Sequence, residues 1–227
     1  MGNVGEGPTP HPEAIERQLS WGPVVRGLRW VGGVDTAFLL HEPGADIDAW
    51  GSLSEQLASQ LAIEVIAFDL PGHGLSDDPW EPALLPALLR SLLGITPVPR
   101  RRFVIAAGAP AFAALGVAAG PGLAGLVCLS PEDSGDGSIP PRSPAVPKLM
   151  VAGSLAGNDL DTARRLATSC GGWAIVTSLP VADRGTALLA SAWGGRIREE
   201  IGAFLRDCQR RPPARTSGLG PGSPLYR

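Results

Sequence analysis

The sequence predicts an α/β protein, a mostly parallel central sheet with helices packed on both faces. Short, nearly all-apolar runs alternate along the chain with segments of helical period, the pattern of repeated strand–helix–strand units. The 227 residues are 44% hydrophobic and 18% charged, which suits one globular domain with a sizeable core. The two ends lack this alternation, so the ordered domain is predicted at 13–208, with tails at 1–12 and 209–227. The second tail is rich in Pro, Gly, Ser and Arg and offers nothing to pack.

The stretch Gln18–Trp30 predicts a first hairpin. Thr36–His41 is an apolar strand ending in His41. Asp48 is placed to cap a helix whose Trp50, Leu53, Leu57 and Leu61 line one face. Ile63–Asp69 is the next strand, and Leu84–Leu93 a leucine-rich helix with Pro86 in its first turn. Arg102–Ala107 is a central strand followed by an alanine-rich helix to about Ala119. Ala124–Ser130 and Lys148–Gly153 are strands, a helix follows Asp161, and Trp173–Ser178 is the last strand. Gly194-Gly195 is predicted to separate a short helix, Thr186–Trp193, from a final one, Ile197–Cys208.

Composition excludes several functions. A net charge of −3 with no basic cluster argues against nucleic-acid binding. Lys148 is the only lysine among many arginines, a bias expected of a GC-rich, bacterial-like genome. Cys128, Cys170 and Cys208 are far apart and odd in number, which suits neither a zinc site nor a disulfide framework. Cys128 lies in an apolar run and reads as a small buried hydrophobe. No cofactor or metal motif is present. No long apolar span or signal-peptide core appears, and Glu6 stands where a myristoylation signal at Gly2 needs Ser or Thr. A soluble, cytoplasmic protein is the expectation.

The segment Val65-Ile-Ala-Phe-Asp-Leu-Pro-Gly-His-Gly-Leu-Ser76 resembles the D-x-P-G-x-G-x-S strand and turn of α/β-hydrolases. Phe38-Leu-Leu-His-Glu-Pro-Gly44, followed by Trp50, is similar to that family's oxyanion loop. Residues 103–112, Phe-Val-Ile-Ala-Ala-Gly-Ala-Pro-Ala-Phe, have the strand–turn–helix layout of its nucleophile elbow. Val146–Gly153 is similar to the strand leading to the acid. The resemblance runs from about residue 18 to residue 208 and implies the α/β-hydrolase fold.

The chemistry that the resemblance implies needs a nucleophile, an acid and a histidine, in that order. At the nucleophile's place stands Gly108, flanked by Ala107 and Ala109, and no Ser, Cys or Asp lies between Arg102 and Gly125. The three histidines, His11, His41 and His73, all precede the elbow. The stretch after the last strand, Leu179-Pro-Val-Ala-Asp-Arg-Gly185, holds Asp183 but no imidazole. Gly108, Asp159 and Asp183 are thus the degenerate triad positions. Asp159 and Asp161 are expected to cap a helix, with a catalytic role as the alternative; Glu132 and Asp133 mark the fold's other place for an acid. His41 is expected to hold the oxyanion loop's backbone, with a functional role as the alternative. Glu42 follows it where the family has Gly, and its bulk opposes a close backbone approach. His73 and Ser76 are expected to be structural. The interval 131–147, where many members carry a lid, is short and rich in Pro, Gly and Ser, so no cap domain is expected.

Three functions follow as expectations. The first is a binding or accessory protein that has lost serine chemistry and engages a protein partner. The second is an enzyme with non-serine chemistry, hydrolase-, lyase- or oxygenase-like, with His41 as base near Asp133 or Asp159 and the Ala109 amide facing the substrate. The third is a receptor for a small apolar ligand in a residual pocket of His41, Pro43, Gly44, Trp50, Gly108 and Ala109.

Overall fold

The computed structural model describes residues 11–96, 100–117, 122–132 and 145–211. Eight strands form one sheet: β1 (Pro12–Gln18), β2 (Val24–Trp30), β3 (Thr36–Leu40), β4 (Glu64–Phe68), β5 (Arg102–Ala107), β6 (Leu123–Leu129), β7 (Lys148–Gly153) and β8 (Ala174–Leu179). Their spatial order is β1-β2-β4-β3-β5-β6-β7-β8. β1, β2 and β4 pair antiparallel, and from β4 onward every pairing is parallel. This is the predicted mostly parallel sheet.

The central strands are uniformly apolar because both faces are covered. On one face Phe38, Leu40, Phe68, Val104, Ala106 and Cys128 pack under α2 (Leu85–Leu93), α3 (Gly108–Gly116) and α4 (Asp159–Ser169). On the other, their neighbours Ala37, Leu39, Ala67, Phe103, Ile105 and Val127 pack under α1 (Leu53–Leu61), α5 (Ala187–Ala190) and α6 (Gly194–Arg210). Chain order reverses between β3 and β5, neighbours in the sheet with β4 outside them. In an open α/β sheet the crevice for ligands lies beyond the carboxyl ends of the strands at such a switch. Here those ends are His41–Gly44 and Gly108.

Several local expectations are corrected. The hairpin starts at Pro12, not Gln18. Asp46, not Asp48, caps the turn before α1, accepting from the Asp48 amide at 3.0 Å; Ile47–Trp50 is a short 3-10 turn and α1 starts at Leu53. Trp50, Leu53, Leu57 and Leu61 nonetheless share one buried face. Gly194 and Gly195 open α6 instead of separating two helices; a side chain at Gly194 would overlap the Leu189 carbonyl, so glycine lets α6 start against α5. α6 ends at Arg210, two residues past the predicted boundary. The helix after Gly153 starts at Asp159, and neither Asp159 nor Asp161 supplies a side-chain cap; Asn158 is the flanking residue.

Residues 1–10 and 212–227 of the predicted tails 1–12 and 209–227, the helix end near Ala119, and Asp133 with most of the 131–147 interval lie outside the described residues. Among the described residues no helix is long and apolar enough to cross a membrane.

Candidate functional site

β5 delivers the chain to the elbow. Ala107 ends the strand in extended conformation, Gly108 turns with φ +59°, and α3 starts at once. A left-handed turn between strand and helix is the strained conformation that a nucleophile elbow imposes, and glycine adopts it without Cβ strain. Pro110 falls in the helix's first turn, where its missing N–H costs little. The Glu132 amide donates to the Gly108 carbonyl at 3.1 Å, tying the loop after β6 to the elbow.

Glu42 stands over that turn. A Cβ placed on Gly108 would lie 2.8 Å from the Glu42 Cβ and 3.9 Å from a Glu132 carboxylate oxygen. The Glu42 carboxylate then reaches the loop after β8. Its Oε1 accepts from the Thr186 amide at 3.0 Å and from the Thr186 hydroxyl at 2.8 Å, and its Oε2 lies 3.2 Å from the same amide. Gly185 makes this possible, because a side chain there would overlap the Glu42 carboxylate. The floor of the switch-point crevice therefore carries two carboxylates, unlike the apolar floor expected from Gly108 and Ala109.

Asp159 is joined to the loop after β8 as well. Asp159 opens α4, its side chain only 5% exposed, and meets Arg184 in a two-point ion pair at 2.7 and 3.0 Å. Arg184 comes from the loop after β8. Asp183 is exposed and does not join the site. The loop 183–186 is thus held twice, Arg184 by Asp159 and Thr186 by Glu42. A guanidinium stays protonated in proteins and accepts no hydrogen bond, so Arg184 cannot act as a base.

His41 is fully buried. Its Nε2 accepts from the Leu70 amide at 3.0 Å, and its Nδ1–H donates to the Glu42 carbonyl at 2.8 Å. Both ring nitrogens are committed to backbone, which fixes the neutral Nδ1–H tautomer. Burial pushes its pKa below the ordinary histidine value, against the upward pull of the Glu42 carbonyl and the Asp69 carboxylate. Asp69 ties two loops together, accepting from the Ile47 and Leu75 amides, each at 2.9 Å. Ser76 donates to the Asp69 carbonyl at 2.8 Å and accepts from the Arg26 amide at 2.9 Å, so it joins β2 to the turn after β4. His73 donates to the Pro71 carbonyl at 2.9 Å and packs edge-on against His41 and Trp80. His41, His73 and Ser76 thus each bond to loop or strand backbone.

The structure does not assemble the rest of the expected pocket. Trp50 is 1% exposed and sits in the core beside α1, not at the crevice. Pro43 and Gly44 are at the surface, and Ala109 packs half-buried against the core. Asp159 is committed to Arg184, so it is no partner for His41. Sequence reasoning missed Arg184, Thr186 and the reach of Glu42. The only local signals were the acid at position 42 and the glycine at 185. Among the described residues, no group of three or more His, Cys, Asp or Glu could hold a metal ion. All three cysteines are free and buried, and burial raises the Cys128 and Cys208 thiols to about 12 and about 11.

No protein-family model matches the sequence, and no curated protein is similar to it in sequence. Solved structures match over nearly its whole length. The esterase Pf2001 from Pyrococcus furiosus superposes with a TM-score of 0.66 at 13% identity, covering 90% of this chain and 97% of that one. A putative aryl esterase from Burkholderia cenocepacia gives 0.67 at 14% identity, over 88% and 100% of the two chains. Mouse alpha/beta hydrolase domain-containing protein 10 gives 0.69 at 11% identity, over 86% and 97%. The chain has the α/β-hydrolase fold.

Proposed function

We propose that this chain is an α/β-hydrolase-fold protein without serine-hydrolase activity that works by binding a protein partner. The observation that carries the reading is the Glu42 side chain, which fills the space over Gly108 and is fastened to Thr186. Serine hydrolysis needs a hydroxyl at the elbow, an imidazole to take its proton and free donors for the oxyanion. Position 108 has no side chain, position 184 is a guanidinium, and a carboxylate standing in the crevice repels a developing oxyanion. The commitment of both His41 nitrogens to backbone counts against a base built on it. The carboxylates of Glu42 and Glu132 count against an apolar ligand at this floor.

The test is labelling with a fluorophosphonate probe, read by intact mass. The reading expects no covalent adduct on the native protein under conditions that label a control esterase fully. A stoichiometric adduct, absent from the heat-unfolded protein, would overturn it.

A further inference from the structure

We infer that a second region, away from the elbow, is a docking site for a polypeptide segment carrying apolar side chains between lysines or arginines. The site is a crevice of 490 Å³ between the β1–β2 hairpin, the turn at 46–48 and the turn at 74–75. Among the described residues, α1 packs mainly against β4 and less against β2. The walls include the apolar residues Ala14, Leu28, Ile47 and Leu75, and Leu75 stands 76% exposed at the rim. An exposed leucine at the mouth of an apolar crevice is a recognition feature, unlike leucines scattered singly on a surface.

Charge identifies the occupant. Three carboxylates, Asp46, Asp48 and Asp69, line the crevice beside the paired Glu16 and one guanidinium, Arg26. That guanidinium is already neutralised, 2.9 Å from Glu16 and 2.7 Å from Asp77. Asp69 receives only neutral amide donors, from Ile47 and Leu75. Asp46 and Asp48 are exposed at the opening. The field in the crevice is therefore negative, and the complementary ligand is cationic with an apolar body. A polypeptide is favoured over a free small cation by the neighbouring backbone. β1 ends the sheet, and among the described residues no strand pairs with its outer edge. The crevice reaches β1 at Ala14–Glu16, and a segment running out of it past β1 can add main-chain hydrogen bonds along that edge. This inference goes beyond the proposed function and fails separately from it, because the crevice contains no residue of the elbow.

The experiment is fluorescence anisotropy of the full chain with a fluorescein-labelled peptide of alternating leucine and lysine, beside a leucine–glutamate counterpart. Saturable binding of the lysine peptide that weakens with salt is expected, with no binding of the glutamate peptide. Asp46→Asn/Asp48→Asn and, separately, Leu75→Ser should each weaken binding at least about tenfold. Asp46→Asn retains the capping oxygen, and Leu75 is exposed, so the melting temperature should hold in both variants. Absence of saturable binding, equal binding of the glutamate peptide, or affinity unchanged in both variants would each overturn the inference.

Discussion

Placing a serine at the elbow should destabilise the protein and confer no esterase chemistry. Gly108→Ser places a side chain on a residue with φ +59°, and a left-handed residue with a Cβ costs about 1–2 kcal/mol. Its Cβ would lie 2.8 Å from the Glu42 Cβ, a carbon close to the backbone that cannot swing aside. Relieving that overlap costs about 1–3 kcal/mol. The total is about 2–5 kcal/mol, a fall in melting temperature of about 4–20 °C for a domain of this size. Glu42→Gly separates the two contributions. In that background Gly108→Ser should lose only the backbone part, about 1–2 kcal/mol, leaving a coupling of about 1–3 kcal/mol between the positions. Urea unfolding of the wild type, both single variants and the double variant measures this. An equal loss in both backgrounds would refute the claim that Glu42 occupies the space over Gly108. None of the four proteins should hydrolyse p-nitrophenyl butyrate above the buffer rate, because no histidine follows position 73 to serve as base.

Other consequences are open to measurement. Arg184→Ala strips the buried Asp159 carboxylate of its partner, and urea unfolding should show a loss of about 1–3 kcal/mol, with Arg184→Lys recovering only part of it. The folded pKa of His41 is lowered, so the unfolded chain binds a proton that the folded one refuses; stability is fully present above the unfolded value of 6.5 and is lost as pH falls below it. A urea series across that window should show the slope in the wild type and a shallower slope in His41→Gln. Gly74→Ala drives a methyl group into the Asp69 carboxylate at a residue with φ +51°, and unfolding should show a loss of at least about 3 kcal/mol; a near-neutral result would mean the turn does not depend on that approach.

The strands were legible because burial on both faces leaves an unmistakable trace. Thr36–Leu40 and Arg102–Ala107 carry almost no polar side chain, and the predicted bounds of the latter match. Helix starts were less legible, since Asp46 and Asp48 are equally good caps by type and only the local turn decides between them. The absence of an imidazole after position 73 could be read directly. What replaced it could not. Glu42 and Thr186 are 144 positions apart, and Asp159 and Arg184 meet only because β7 and β8 are neighbours in the sheet. Period and composition report which face of an element is buried, and neither reports which loops converge at the strand ends. Gly185 shows the limit well: it read as a loop glycine, and its role is to leave room for the Glu42 carboxylate.

The account turns on the Glu42 carboxylate holding the loop after β8 across the elbow. Hydrogen exchange at the Thr186 amide tests it most directly, because that N–H donates to Glu42. In the wild type it should exchange about 100-fold or more slowly than in Glu42→Ala, while the strand amides of β5 exchange alike in both proteins. Equal Thr186 exchange in the two proteins would show that the loop is held by something else and that the crevice over Gly108 is open.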